Sequence, residues 1–300
     1  MRTMAVPERY DLAGSVRSMT SIHADPTVRA GRGEAWFATR TPDGPGTLRL
    51  VRAGAELVAT AFGPGAPWLI ERADAVAGLR DDVTGFAELA ARHPLVRQLA
   101  REHSGLRMAA TGRIFHHLVP AILGQKVSGK EAYQSYVRLL RHFGAEPPPG
   151  PHPPGMRLPP DPAAVAATAY WTLHPMGIEQ KRGATLLRVA VEAAALERCA
   201  DIATATRRLL AVPGIGPWTV AEVVRPAFGD PDAVSVGDYN LKNMVAYALA
   251  GEPRADDDRM LELLAPFAGH RGRVCQLIGT AGIGPPRRGP RMPLRSFARY

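Results

Sequence analysis

LAVPGIGPWT, residues 210–219, ends one predicted helix and begins another. The segment PGIG cannot continue the first helix, and Pro217 is well placed as the first residue of the second. Gly214 and Gly216 flank the apolar Ile215, so the turn leaves its backbone amides open to a phosphate, because no Cβ blocks the approach. The stretch therefore predicts a hairpin that holds a nucleic-acid backbone without recognising its bases. The alternative is a turn with a purely structural role.

A single carboxylate, Asp238, follows this hairpin in the motif Gly237-Asp238-Tyr239, at the start of a helix predicted over 240–249. An aspartate at this position caps the helix, and the backbone amides of the cap hold its carboxylate on the hairpin side. Capping does not exclude catalysis, since a carboxylate just beyond the hairpin can act on the nucleotide that the hairpin presents. The two motifs together indicate an enzyme that acts on DNA.

Composition sets limits on the class of protein. The 300 residues, 46% of them hydrophobic, are enough to bury a large core in one large domain or two modest ones. The formal net charge of +9 favours a polyanionic partner, although an excess of arginine also arises from a GC-rich genome. No segment approaches the roughly 20 apolar residues of a membrane span, and the N-terminus lacks the apolar centre of a signal peptide. We expect a cytoplasmic, nucleoid-associated protein.

Cysteine and histidine offer little metal chemistry in this sequence. Cys199 and Cys275 stand singly in apolar, helical surroundings, which excludes a disulfide framework and an iron–sulfur cluster held by four thiolates. His116 and His117 have no further ligand at the spacing of a zinc motif, so we expect histidines that are buried or on a helix surface.

The chain divides into a small β-rich domain over residues 1–80, a helical domain over 81–284 and an Arg-rich tail over 285–300. The tail can follow phosphates or simply solvate the end of the chain. Alternating or β-branched residues and short turns predict antiparallel strands at 35–40, 47–51 and 56–61. Apolar periodicity predicts helices at 86–92, 114–143 with an interruption at 124–128, 162–169, 181–196, 202–210, 218–228, 240–249, 259–267 and 271–278. The fold class is mainly α, of the α+β type.

From about residue 85 to 282 the chain resembles the helix-hairpin-helix DNA glycosylase superfamily, and within it the bacterial 3-methyladenine DNA glycosylase II branch. The resemblance rests on four blocks in the family's order, which are Ile122 to Ser128, Met176 to Arg182, Pro213 to Thr219, and Asp238-Tyr239 with Lys242. The N-terminal strands are similar to the small β domain that precedes the helices in this branch. The resemblance implies an all-helical glycosylase core in two lobes after that β domain.

The resemblance implies that Asp238 is the essential carboxylate, which stabilises the oxocarbenium-like transition state of glycosidic bond cleavage. Relatives with lyase activity carry a lysine where this chain has Trp218, so the resemblance implies a monofunctional enzyme that leaves an abasic site. The residues that we expect in the base pocket are Trp218, Gln125, Tyr239 and Glu222. Trp218 would stack on the base, and packing in the helix core is the alternative role.

The resemblance also implies a set of DNA contacts. The loop with Gln125 and Lys126 enters the minor groove and fills the gap left by the extruded base, here with a polar residue where many members of the branch have an apolar one. The DNA-binding residues expected are Gly214, Ile215, Gly216, Thr219, Lys126, Ser128 and Lys242. Main-chain carbonyls of Leu210, Val212 and Ile215 would bind a monovalent cation, Na⁺ or K⁺, and no other cofactor is required.

The preferred interpretation is a monomeric base-excision repair enzyme that releases alkylated purines, such as 3-methyladenine or 7-methylguanine, from damaged double-stranded DNA. One alternative is a glycosylase for an oxidised or deaminated base, for which Glu222 is the visible proton donor. The other is a non-catalytic protein that binds DNA damage. Asp238 and Tyr239 beside a complete hairpin argue against this last alternative.

Overall fold

A computed structural model describes residues 1–20, 22 and 24–286. The predicted Arg-rich tail therefore lies, from residue 287 onward, outside the described residues. Within them, one antiparallel sheet in the N-terminal part accompanies fifteen α-helices. The strands are β1 (Arg2–Ala5), β2 (Val28–Ala30), β3 (Glu34–Thr41), β4 (Gly44–Ala53) and β5 (Glu56–Phe62).

Three helices accompany the sheet, and they are α1 (Leu12–Arg17), α2 (Ala66–Glu71) and α3 (Ala73–Val76). The helices that follow are α4 (Phe86–Ala90), α5 (Pro94–Glu102), α6 (Ile114–Gly124), α7 (Gly129–Phe143), α8 (Pro162–Ala166), α9 (Tyr170–Leu173), α10 (Gln180–Leu196), α11 (Ile202–Leu210), α12 (Pro217–Phe228), α13 (Leu241–Ala250), α14 (Asp257–Leu264) and α15 (Arg271–Thr280). None of the helices in the described residues has the length and apolar character that crossing a membrane requires.

The sheet has the strand order β1-β5-β4-β3-β2, with every neighbouring pair antiparallel. The three strands predicted from the sequence are confirmed as β3, β4 and β5. The prediction missed β1 and β2, which are only four and three residues long and form the two edges of the sheet. Strands this short show too little alternation to be recognised from sequence alone.

The helices form two lobes with separate apolar cores, as the sequence predicted. The hairpin lobe consists of α6 to α12, and its core runs from Ile114 to Ala233. The second lobe combines α4 and α5 with α13, α14 and α15, so it joins segments that lie far apart in the sequence. A buried ion pair between Arg273 and Asp81, 2.5 Å between Nη2 and Oδ1, ties α15 to the segment that leads out of the sheet.

His116 connects the sheet to the hairpin lobe. Its Nε2 lies 3.1 Å from the Thr27 hydroxyl and its Nδ1 lies 2.9 Å from the Thr39 hydroxyl, all of them buried. Burial lowers the pKa of His116 to about 3 and holds the pKa of His117 well below its usual value. Both rings are therefore neutral in the folded protein, and the expectation of buried histidines is confirmed at these two positions.

We expect the free energy of unfolding to decrease as the pH falls below about 6.5, since the unfolded chain binds protons that the buried histidines do not accept. The decrease should be about 1.4 kcal/mol per pH unit for each such histidine. His116→Gln should remove the contribution of one histidine to the pH dependence of the free energy of unfolding. His142 lies on the exposed surface of α7, so His142→Gln should leave that pH dependence unchanged. Urea unfolding at pH 7.5 and 5.5 measures this. Equal pH dependence in wild type and His116→Gln would contradict the assignment.

Candidate active site

The hairpin forms where the sequence predicted it. Helix α11 ends at Leu210 and α12 begins at Pro217, with a tight turn between them. Gly214 has φ +98°, and a Cβ at this position would lie 2.1 Å from the Thr185 hydroxyl oxygen on α10. Gly216 has φ −116° and open space around the same position. Only Gly214 is therefore required for the fold of the turn.

The hairpin leaves backbone N–H groups available. The amides of Gly214, Gly216, Trp218 and Thr219 have no acceptor among the residues that the structure describes. They lie at the turn and in the first turn of α12, where the helix dipole also favours an anion. The side chains of Ile215 and Thr219 are buried, so these two predicted DNA-binding residues can contact DNA only through their main chain.

Gln125 joins the loop after α6 to the hairpin. Its side-chain amide donates to the Gly214 carbonyl at 3.0 Å and to the Thr219 hydroxyl at 2.9 Å. These donors are used within the protein, and Gln125 does not line the cavity described below. Its predicted place in the base pocket stays a prediction. Lys126, beside it, is exposed and has φ +55°, which makes it the tip of the loop.

Ser128 ends this loop as the N-cap of α7. It forms a capping box with Glu131, in which each side chain receives a hydrogen bond from the other residue's backbone amide. The cap fixes the direction in which α7 leaves the loop. The predicted role of Ser128 in DNA binding stays a prediction. The hydrogen bonds of Gln125 connect this loop to the hairpin.

Three donors fix the Asp238 carboxylate. Oδ1 accepts from the amides of Asn240 at 2.8 Å and Leu241 at 2.9 Å. Asp238 thus holds amides at the start of α13 as predicted, although the N-cap residue itself is Asn240. Oδ2 accepts from the indole Nε1 of Trp218 at 3.1 Å. The indole lies against Gly124, where a Cβ would come within 3.3 Å of the ring. Asp238 is thus held between the hairpin lobe and the second lobe.

Asp238 opens onto a cavity of about 550 Å³, a size usual for small-molecule sites. The cavity lies between the lobes and the sheet region, and its lining includes Gly14, Arg17 and Ser18 of the α1 region, Glu222 and Arg225 of α12, and Cys275 and Gln276 of α15. Burial raises the pKa of Cys275 to about 12, so its thiol stays protonated and acts as an apolar part of the wall.

Of the four residues predicted for the base pocket, Glu222 alone is among the described residues that line this cavity. Trp218 bonds Asp238 at the margin of the cavity and its ring lies against Gly124, so stacking on the base and packing both stay open as its role. Tyr239 is 85% exposed on the turn between Asp238 and α13 and does not line this cavity, and its assignment to the base pocket stays a prediction. The amides of Asn240 and Leu241 hold the Asp238 side chain within the turn, so the side chain of Tyr239 lies on the outside.

Glu222 has its own set of partners. Its Oε1 accepts from the Ser235 hydroxyl at 2.5 Å and from the Arg225 guanidinium at 3.0 Å. Across the described residues, Oε2 has no assigned donor, and the buried Oε1 of Gln276 also has none. The sequence analysis missed Ser235, Arg225 and Gln276, because no motif marks residues that meet only through packing of the lobes.

Lys242 has an intramolecular partner. Its Nζ lies 3.3 Å from Oδ2 of Asp257, and Oδ1 of the same carboxylate accepts from the Gly237 amide at 3.0 Å. The pair therefore stabilises the turn that precedes Asp238. The prediction that Lys242 binds DNA stays a prediction, and in this structure its partner is Asp257.

The predicted cation site involves only backbone carbonyls of Leu210, Val212 and Ile215. The Val212 carbonyl already accepts from the Ile215 amide at 3.0 Å, which leaves one lone pair for a ligand. Neutral carbonyl oxygens suit an alkali cation, and the site stays a prediction. The described residues hold no group of three or more His, Cys, Asp or Glu side chains that could bind a metal ion.

Curated relatives share part of the sequence. A DNA-3-methyladenine glycosylase of Bacillus subtilis (strain 168) is 25% identical over 209 residues, which cover 63% of this chain and 64% of the relative. A probable bifunctional transcriptional activator/DNA repair enzyme AlkA of Mycobacterium tuberculosis (strain ATCC 25618 / H37Rv) is 28% identical over 162 residues, covering 54% and 32%. The chain thus spans less than two thirds of either relative. No protein-family model matches the chain.

Solved structures share the fold. The 3-methyladenine DNA-glycosylase from Archaeoglobus fulgidus has a TM-score of 0.75 at 16% identity, covering 93% of this chain and 97% of that one. The Clostridium acetobutylicum 8-oxoguanine glycosylase/lyase in complex with double-stranded DNA has a TM-score of 0.59 at 12% identity, covering 84% and 95%. The solved structures show that the chain has the fold of these glycosylases, and the curated relatives support its resemblance to the AlkA-like branch of the helix-hairpin-helix glycosylases.

Gly214→Ala should lower the free energy of unfolding by about 1–3 kcal/mol, since the new Cβ meets Thr185 and the backbone keeps a positive φ. Gly216→Ala is the matched control and should lower it by no more than about 1 kcal/mol, the usual cost of alanine at an N-cap, because the space around Gly216 is open. Urea unfolding of the two variants measures the difference. Equal stability would show that the close approach of Gly214 to α10 is not a constraint on the hairpin.

Proposed function

We propose that the protein is a monofunctional DNA glycosylase of base-excision repair, which releases alkylated purines from double-stranded DNA. The observation that carries the proposal is the Asp238 carboxylate, held by Trp218 and two backbone amides at the edge of a cavity beside the hairpin. The similarity to a DNA-3-methyladenine glycosylase and to a probable AlkA repair enzyme supports the choice of alkylated bases.

DNA binding in this proposal begins with the sequence-independent contacts. The amides of the hairpin and the first turn of α12 receive phosphate oxygens, and the net charge of +9 strengthens binding by counterion release. Lys126, exposed at the loop tip and tied to the hairpin through its neighbour Gln125, enters the space that the extruded nucleotide leaves. The damaged base turns out of the stack into the cavity.

The chemical step needs one well-placed carboxylate. The bond between the sugar C1′ and the base nitrogen breaks, and its electron pair goes to the base, which leaves as a neutral molecule because alkylation had given it a positive charge. Asp238 stabilises the sugar cation that forms and orients the water that attacks C1′. The proton of that water passes to the carboxylate or to solvent, and an abasic site remains.

We propose that the enzyme has no lyase activity, because the residue beside Asp238 is Trp218, whose indole nitrogen cannot form a Schiff base with the sugar. The DNA product should therefore be an intact strand with an abasic site. Incubation of end-labelled methylated duplex, analysed with and without mild alkali, should show strand breaks only after alkali. Breaks without alkali, trapped as a covalent complex by borohydride, would contradict this proposal.

Asp238→Asn should reduce release of methylated purines at least about 100-fold, since it removes the charge that stabilises the transition state. Binding to duplex DNA should stay within about twofold, because asparagine retains an oxygen for the amides of Asn240 and Leu241. Chromatography of bases released from methylated DNA measures the first, and a binding titration measures the second.

Asp256→Asn is the matched control, because Asp256 caps α14 in the same manner but does not line the cavity. It should keep wild-type release. Full release by Asp238→Asn would remove the central residue from the proposal. DNA binding by the wild type without release of methylated purines would favour a non-catalytic damage-binding protein.

The other glycosylase alternative, in which Glu222 protonates a neutral oxidised or deaminated base, has less support. Its Oε1 accepts two hydrogen bonds, from Ser235 and Arg225, which is the arrangement of an acceptor rather than a proton donor. We further propose that the enzyme acts as a monomer on nucleoid DNA in the cytoplasm. Na⁺ or K⁺ at the hairpin carbonyls would be its only bound ion.

A further inference from the structure

We propose that Glu222 and Arg225 recognise the Watson–Crick edge of the extruded base, so that the cavity selects alkylated guanine, such as 7-methylguanine, over alkylated adenine. This inference rests on the proposed glycosylase function and names its substrate class. Both side chains line the cavity onto which Asp238 opens, and they lie one turn apart on α12. A flipped base is commonly recognised through this edge.

The two side chains form a fixed donor–acceptor pair. The Arg225 guanidinium donates to Oε1 of Glu222 at 3.0 Å, and the buried Ser235 hydroxyl donates to the same oxygen at 2.5 Å. Among the described residues, Oε2 of Glu222 keeps its full capacity to accept, and the guanidinium has no other assigned partner. The cavity thus presents an acceptor and a donor side by side, both positioned by the protein.

Guanine matches this pair and adenine does not. The Watson–Crick edge of guanine has the O6 acceptor next to two donors, N1–H and the N2 amino group, so O6 faces Arg225 while the donors face Glu222. Methylation at N7 leaves this edge unchanged. The same edge of adenine has an amino donor and the N1 acceptor in the reverse order, so an adenine held by its sugar in the same orientation would bring donor against guanidinium and lone pair against carboxylate. Unmatched buried polar groups of this kind cause strong discrimination.

A second acceptor among the lining residues supports a ligand rich in donors. Gln276 on α15 lines the same cavity, and its Oε1 is buried without a donor in the described part of the chain. A buried acceptor without a partner is costly, so a ligand that supplies a donor gains affinity there. Guanine carries three N–H hydrogens on this edge and adenine carries two.

The test compares two lesions in one reaction. DNA methylated with dimethyl sulfate contains both 7-methylguanine and 3-methyladenine, and chromatography gives the release rate of each relative to its spontaneous loss. The wild type should accelerate release of 7-methylguanine more than that of 3-methyladenine. Glu222→Gln should reduce the ratio of the two accelerations about tenfold or more, because the amide can pair with adenine as well as guanine. Glu88→Gln, exposed on α4 and outside the cavity, is the matched control and should keep the wild-type ratio.

The ratio separates recognition from stability, since partial misfolding lowers both rates by the same factor. An unchanged ratio in Glu222→Gln would overturn the assignment while leaving the proposed glycosylase function intact. A wild type that accelerates only 3-methyladenine release would also overturn it. Release of neither base by the wild type would overturn the proposed function and this inference together.

Discussion

The hydrogen bond between the Trp218 indole and Asp238 is the contact on which the site depends. It joins α12, which starts at the hairpin, to the turn before α13, which belongs to the second lobe. The amides of Asn240 and Leu241 hold the other carboxylate oxygen, so the group cannot rotate away from the cavity. A carboxylate held in this way meets a developing positive charge without reorganising, which is the condition for effective electrostatic catalysis.

The same end of the molecule has a second constraint, close packing around Gly214. Its approach to Thr185 fixes the hairpin on α10, and the Gln125 side chain bonds the Gly214 carbonyl from the loop after α6. The hairpin, the loop tip at Lys126 and the carboxylate at Asp238 are thus parts of one rigid arrangement. DNA bound by the hairpin amides would meet the loop and the cavity in a fixed geometry, with no need for a large rearrangement of the protein.

Local signals in the sequence predicted the hairpin, the cap at Asp238 and the longer helices, because each depends on residues within a few positions of one another. Short elements were missed, including β1, β2, α1 and α9, since packing against the rest of the fold stabilises them. Residue identity suggested Glu222, but its bonds to Ser235 and Arg225 follow from packing between segments. The same reason explains why the sequence did not predict the hydrogen bonds of Gln125, the exposure of Tyr239 or the ion pair of Lys242, since no local pattern reports them.

If Asp238 stabilises positive charge at the sugar, the protein should bind a cationic sugar mimic more tightly than a neutral one. Two duplexes would be used, one with a pyrrolidine in place of the damaged sugar, which is cationic, and one with a tetrahydrofuran, which is neutral and of similar shape. The wild type should bind the cationic duplex roughly 100-fold or more tightly than the neutral one, as expected for a transition-state mimic. Asp238→Asn should lose most of this preference. Equal binding of the two duplexes by the wild type, or an unchanged preference in Asp238→Asn, would show that Asp238 does not stabilise positive charge at the sugar.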